Sequence, residues 1–318
     1  MKSKYIIVSF VTLCAVVLLA VLYLKNLLLA PSNDSKTINF MINKGSSVSL
    51  IGNNLKKAGL IKNAVVFKFY IQITNSQNKI QAGEFELSPN LSLTQIVEKL
   101  KKGPAEIWVT IPEGLRREEI ALKYKNTLNK DQEFLSEFMT LTNGKEGYLF
   151  PETYLFPKEA TVQQIVNRMT ATLNQKIKDV TYQQLIVASM LERETFTDEE
   201  KPIVAGILYK RLKNDWPLQV DATLQYAKDS SKYKTLNQDN KYWEPIYSGD
   251  KEIDSPYNTY KNLGLTPAPI ANPGYSSIMA AISPESSEYW YYIHDNDGKI
   301  HFAKTLEEHN QNIRKYLN

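Results

Sequence analysis

The chain has 318 residues, of which 43% are hydrophobic, 23% charged and 11% aromatic. That length allows about two domains, and the composition excludes a disordered chain, a collagen-like repeat and a multi-span membrane protein. Thirty-eight basic against 34 acidic side chains leave a formal charge of +4, spread along the chain rather than clustered, which argues against a nucleic-acid partner.

From Tyr5 to Leu24 no residue is charged, and Val, Leu, Ile and Ala dominate. Roughly 20 such residues suffice for one helix across ~30 Å of hydrocarbon. Lys2 and Lys4 precede the run, so the positive-inside rule keeps the amino terminus cytoplasmic and sends the rest outside. The run is too long for the core of a cleaved signal peptide. Cys14, the single cysteine, sits inside it, so the chain has neither a disulfide framework nor a cysteine-based zinc cluster. Residues 1–30 are therefore expected to form a cytoplasmic tip and a single transmembrane anchor of the plasma membrane.

Beyond Pro31–Ser35, a polar linker, Thr37 to Ile42 alternates like a strand. Ser47–Ala58 and Ala64–Ile73 have helical spacing, Gly83–Leu87 reads as a return strand, and Leu93–Leu100 as a helix closed by Gly103. This small βααβ-like module occupies 31–105. A second region, 106–318, opens with a strand at Ile107–Ile111, stopped by Pro112-Glu113-Gly114. Helices are predicted at Arg117–Leu128, Asp131–Thr140, 161–178, 181–195 and 199–213, the last begun by a Thr197/Glu200 capping box. Glu146 to Tyr154 reads as an aromatic loop. The chain past Trp216 is loop-rich, then gives strands near Tyr289–His294 and Lys299–Ala303 and a helix at Leu306–Tyr316. Segregated helices and strands predict an α+β fold rather than a doubly wound parallel sheet.

The segment Leu185–Thr195 has apolar side chains all round a helix, so this helix should be buried. A glutamate there is costly to ionise and suits proton donation near neutral pH. Glu192 lies on the side of Ala188 and Ser189, where small residues leave room for a ligand. Glu194 points about 200° away, beside Val187 and Met190. Alternatively, either glutamate pairs with Arg193, Arg211 or a lysine. Farther on, Leu218–Tyr226 alternates so that Gln219, Asp221 and Thr223 share a face, and Ser255–Tyr260 brings Tyr257, Asn258, Thr259 and Tyr260. Such side chains around an acid suit a sugar, whose hydroxyls take hydrogen bonds and whose ring faces stack on aromatics; the alternative is a proline-fixed loop covering a core. His294, His301 and His309 lack metal-binding spacing, and no phosphate-cradling glycine loop or nucleophile elbow is present.

Taken together, six stretches in order resemble the endolytic murein transglycosylase (YceG-like) family. They are Ile111–Gly114, Glu146–Pro151, Ala188–Thr195, Leu218-Gln219 with Asp221, Ser255–Tyr260 and Asn272-Pro273-Gly274. The chain departs from the usual pattern at Lys210, Val220 and Ala222. The resemblance implies an anchor, a LysM-like module over 31–105 and a transglycosylase domain over 106–318. It places the catalytic glutamate on Glu192, the first acid of Ser-x-x-Glu-x-Glu. Substrate contacts would come from Gln219, Asp221, Thr223, Tyr226, Tyr257, Asn258, Thr259 and Tyr260. The implied reaction cuts peptidoglycan glycan strands internally, leaving 1,6-anhydro ends, beside the synthases (penicillin-binding proteins) that make those strands, with no metal or organic cofactor. Two other readings stand beside it. A two-carboxylate glycoside hydrolase would pair the acid with Asp221 or Glu152, and a non-catalytic wall-binding scaffold would use the same groove.

Overall fold

The computed structural model describes residues 2–317 apart from 234 and 238, with side chains from residue 13 onward. The chain divides into two compact units. One holds the residues up to Trp108 together with Leu155–Lys158, and the other holds Val109–Tyr154 and the chain from Glu159 on.

The first unit begins with a long helix, α1 (Lys2–Leu28). Among the described residues no helix is long and apolar enough to cross a membrane. The expected span from Tyr5 to Leu24 is thus a helix without support as a transmembrane segment. Its lysine flank and the side chains up to residue 12 lie outside the described side chains. After the linker come β1 (Ile38–Ile42), α2 (Val48–Lys57), α3 (Ala64–Ile73), β2 (Gly83–Leu87) and α4 (Leu93–Lys102). Each helix starts on a side-chain cap: Ser47 accepts from Leu50 N, Asn63 from Val65 N and Val66 N, and Ser92 pairs with Gln95 in a capping box. β1 and β2 are antiparallel with Phe40 opposite Phe85. β3 (Glu106–Thr110) and β4 (Thr153–Pro157) extend the sheet in the order β1-β2-β3-β4 and carry the chain between the units. Phe40, Leu55, Phe67, Ile71, Phe85, Ile96 and Leu100 fill the core against one face of the sheet.

The second unit is mostly helical. It comprises α5 (Arg117–Leu128), α6 (Gln132–Leu141), α7 (Val162–Lys176), α8 (Tyr182–Glu194), α9 (Lys201–Lys213), α10 (Asp221–Lys232) and α11 (Tyr275–Ile282). A hairpin, β5 (Tyr291–His294) with β6 (Ile300–Ala303), and α12 (Leu306–Tyr316) complete it. At its centre lies α8, whose residues from Leu185 to Leu191 are all buried, as the all-round apolar pattern requires. The mixed α+β class follows from these two units.

Four local expectations are corrected. Leu218–Tyr226 alternates in sequence, yet from Asp221 it is helix α10, with Ala222, Thr223, Leu224, Tyr226 and Ala227 inward at helical spacing. The short α11 follows Pro273-Gly274 within the stretch expected to be loop-rich. β4 replaces the end of the aromatic loop. The Thr197/Glu200 capping box does not form: α9 starts at Lys201 with Pro202 in its first turn, and Glu200 Oε2 turns back to accept from Phe196 N at 3.2 Å.

Gly83 tests the sheet. Its φ is +147°, and a Cβ there would stand 2.0 Å from the Glu106 carbonyl oxygen across the β2–β3 pair. Gly83→Ala is therefore expected to lower stability by about 2–4 kcal/mol; an unchanged urea midpoint would contradict that packing.

Candidate active site

The motif stretches meet around one buried amide. Asn272 Oδ1 accepts from Gly147 N and Leu149 N, each at 2.9 Å, and its Nδ2 donates to Glu146 Oε1 at 2.6 Å and to Leu115 O at 3.0 Å. Its backbone adds bonds to Gly114 N and Leu115 O. Three loops far apart in sequence are thereby fixed at the amino end of α11. Glu146 is buried, and burial followed by the nearby Glu118 holds its carboxyl well above the usual range.

Glu192 lies at this junction. Its Oε2 accepts from Gly274 N at 2.8 Å and from Ser277 Oγ at 2.7 Å, capping α11, which has no side-chain cap of its own. The Glu113 carboxylate approaches the same place, so closely that a Cβ on Gly274 would stand 1.9 Å from its Oε1. Burial, then Glu192, raise the Glu113 carboxyl. The small residues beside Glu192 leave no room for a ligand. Ala188 and Ser189 are fully buried, Ser189 Oγ is held between Ile186 O and Ile270 N, and α11 packs its Ile278, Ala280 and Ala281 into the same core.

Glu194 ends α8 on the other side, in a cavity of about 450 Å³ lined also by Arg211, Gln219, Asp221, Tyr260, Tyr292 and His309. Its Oε1 accepts from Ala222 N at 3.4 Å, at the start of α10, and its Oε2 from Tyr292 Oη at 3.0 Å. Burial, and next the Asp221 charge, push its carboxyl up to about 7, against the opposing pull of Tyr292, Ala222 N–H and Arg211. Tyr292 is held well above its usual range, by burial first, so it remains a donor. Burial and Arg211 lower His309, which favours a neutral imidazole.

Of the eight side chains expected at the substrate, Gln219, Asp221 and Tyr260 surround Glu194. Gln219 adopts φ +53°, a strained value for a residue with a side chain. Thr223, Asn258 and Thr259 are buried scaffold. Thr259 Oγ1 accepts from Val220 N at 3.0 Å and lies 2.9 Å from Thr223 Oγ1, while Asn258 Nδ2 donates to Lys251 O and Ile253 O. Tyr226 and Tyr257 pack together at 4.8 Å beneath the Arg116 guanidinium, which is 4.1 Å from the Tyr226 ring; neither lines the Glu194 cavity. Glu152, one of the two candidate partners for the acid, is paired with Lys176 at 2.5 Å, whereas Asp221, the other, shares the cavity. The hairpin contribution of Tyr292 carried no sequence signal, because nothing local ties β5 to α8 almost a hundred residues earlier.

The YceG-like family model matches residues 40–315. The endolytic murein transglycosylase of Bacillus subtilis (strain 168) is 35% identical over 94% of this chain and 90% of its own length. That of Streptococcus pneumoniae serotype 2 (strain D39) is 30% identical over 93% of this chain, which spans 61% of that longer protein. Among solved structures, a YceG-like protein of Listeria monocytogenes is 32% identical, with a TM-score of 0.59 over 86% of this chain and 98% of that one. An α+β chain built around a buried acid helix, with motif loops gathered on Asn272, is thus matched along nearly its whole length. The chain belongs to the YceG-like family.

The electrostatics of Glu194 carry a stability consequence. The folded chain holds this proton to about pH 7, while an unfolded glutamate releases it near 4.5, so the folded state loses stability as pH rises across that interval. At pH 8, Glu194→Gln is expected to be about 2 kcal/mol more stable than wild type, allowing for solvent at the cavity mouth, with the gap closing below roughly pH 4.5. Urea unfolding at the two pH values checks this; a gap independent of pH would contradict it.

Proposed function

We propose that this chain is an endolytic lytic transglycosylase of peptidoglycan, as the names of its relatives suggest, with Glu194 rather than Glu192 as acid and then base. The observation that carries the assignment is the Glu194 carboxyl, protonated up to about pH 7 within a polar cavity that also holds Gln219, Asp221 and Tyr260. Glu192 caps α11 and acts in this proposal as a positioning residue for the Gly274 turn.

The chemistry needs one carboxylic acid. Glu194 gives its proton to the oxygen leaving N-acetylmuramic acid as the bond from C1 breaks, and the bonding pair departs with that oxygen. The sugar's own 6-hydroxyl then attacks C1, and the Glu194 carboxylate takes the hydroxyl proton, closing the 1,6-anhydro ring. The proton count returns to its start and no water is consumed. An acid that must also act as a base works best with a pKa near the operating pH. Around Glu194 the opposing influences of burial and Asp221 on one side, and Tyr292 and the α10 N-terminus on the other, supply that balance. Gln219 and Tyr260, which line the same cavity, would hold the sugar with its 6-hydroxyl close to C1.

Two finer elements belong to the same proposal. The exposed apolar side chains Val16–Leu19 and Val21–Leu24 on α1 support a lipid tether that keeps the enzyme near new strands. There, beside the penicillin-binding synthases, internal cuts would end strand elongation. Residues 31–105 form the LysM-like module between tether and catalytic region in this proposal. A two-carboxylate hydrolase remains the second reading, because Asp221 shares the cavity of Glu194.

Mass spectrometry of uncross-linked glycan strands, digested by wild type, Glu194→Gln and Glu192→Gln, separates these readings. Wild type is expected to give internal fragments with 1,6-anhydro ends, reduced by at least about 10²-fold in Glu194→Gln and by less than tenfold, roughly, in Glu192→Gln. Products carrying added water would move the assignment to hydrolase. An active Glu194→Gln beside an inactive, folded Glu192→Gln would return the acid to Glu192, and no products from folded wild type would favour a binding scaffold.

A further inference from the structure

Glu194 and Asp221 share the start of one helix. Asp221 is the first residue of α10, and the next backbone N–H, that of Ala222, donates to Glu194 Oε1. We propose that Asp221 is the positioning residue for the acid: clamped by Tyr260 at the amino end of α10, its fixed negative charge keeps the proton on Glu194 until the glycosidic oxygen takes it. The proposal rests on reading Glu194 as the acid.

The surroundings of Glu194 otherwise favour its anion. A helix N-terminus attracts a carboxylate, and a hydrogen bond donated by Tyr292 does the same. Arg211 adds positive charge from α9, although its guanidinium is committed to Leu218 O and Trp290 O. From α12, His309 faces the cavity with a lowered proton affinity, and from β5, His294 is paired with Glu200 at 2.9 Å. Arg193, beside Glu194 on α8, turns its guanidinium over the Trp243 ring at 4.1 Å. Against these, burial and next the Asp221 charge favour the protonated carboxyl.

Asp221 cannot easily swing away. Tyr260 Oη donates to its Oδ1 at 2.5 Å, and the Lys251 ammonium lies over the Tyr260 ring at 4.6 Å. The turn that delivers it is pinned by Gln219 N to Thr259 O and Val220 N to Thr259 Oγ1. The same charge serves the second half of the cycle. Once Glu194 has given up its proton, a carboxylate beside a carboxylate is a stronger base toward the 6-hydroxyl.

The test is the pH dependence of kcat and KM for the full-length chain on uncross-linked glycan strands, comparing wild type with Asp221→Asn, Asp221→Glu and Glu194→Gln. Asp221 is solvent-accessible and asparagine still accepts from Tyr260, so Asp221→Asn should fold, as circular dichroism would verify. The wild-type rate is expected to fall above pH about 7. In Asp221→Asn this falling limb should move about one unit lower. At pH 7.5 kcat should drop about tenfold with KM changed less than about threefold, and Asp221→Glu should restore the limb. An unmoved limb, or a raised KM with kcat intact, would overturn the proposal and leave Asp221 a substrate ligand. A wild-type rate in Glu194→Gln would instead overturn the acid assignment and the Asp221 proposal with it, whereas an inactive Glu194→Gln beside an unmoved Asp221→Asn limb removes the Asp221 role alone.

Discussion

A carboxyl group held between two opposed demands organises the catalytic region. Glu194 is desolvated by α8 and pressed by the Asp221 charge, yet it is offered hydrogen bonds by Ala222 N–H and Tyr292. Burial alone would make it a permanent acid, and the helix N-terminus alone a permanent carboxylate. Held near neutrality, it can do both jobs in one turnover. The packing serves that balance: α8 is buried from Leu185 to Leu191 and ends on Glu194, α10 begins where the Ala222 N–H reaches the carboxyl, and the β5–β6 hairpin lines the cavity with Tyr292.

The first carboxylate of the Ser-x-x-Glu-x-Glu stretch explains why α11 sits where it does. Glu192 caps α11, Glu113 crowds Gly274, and Asn272 ties the loops around residues 115 and 147 to the same turn. These contacts span separations of 80 residues and more. The motif stretches thus divide their labour, with one group building the junction at α11 and another building the cavity around Glu194.

Much of this architecture is legible in the sequence where local physics decides. Ala64–Ile73, Gly83–Leu87, Arg117–Leu128 and Leu306–Tyr316 follow the predicted bounds, because the local apolar spacing agrees there with the packing; in the structure Asn63 caps the first of these helices and Asn129 ends the third segment. Sequence reasoning fails where tertiary contacts override a local pattern. The alternation at Leu218–Tyr226 mimics a strand, but burial of Leu224 and Ala227 against the helical core selects a helix. α11 is short, follows Pro-Gly, and starts on a cap lent by a residue 82 positions away. The choice between Glu192 and Glu194 turned on what fills the space beside Ala188 and Ser189. Small residues on a helix admit a ligand or another helix equally well, and here they admit α11. Gln219, Asp221 and Tyr260 were found from their chemistry. Thr223, Asn258 and Thr259 have similar chemistry but are spent on the scaffold, a distinction set by burial alone.

Whether Glu194 carries a proton at neutral pH is read out by a carbon-13 NMR titration of the glutamate side-chain carboxyls, with the Glu194 signal assigned by its absence in Glu194→Gln. The expected midpoint for that signal is about 7. A midpoint near 4.5, the ordinary value for a glutamate, would contradict it and leave the cavity without its proton donor.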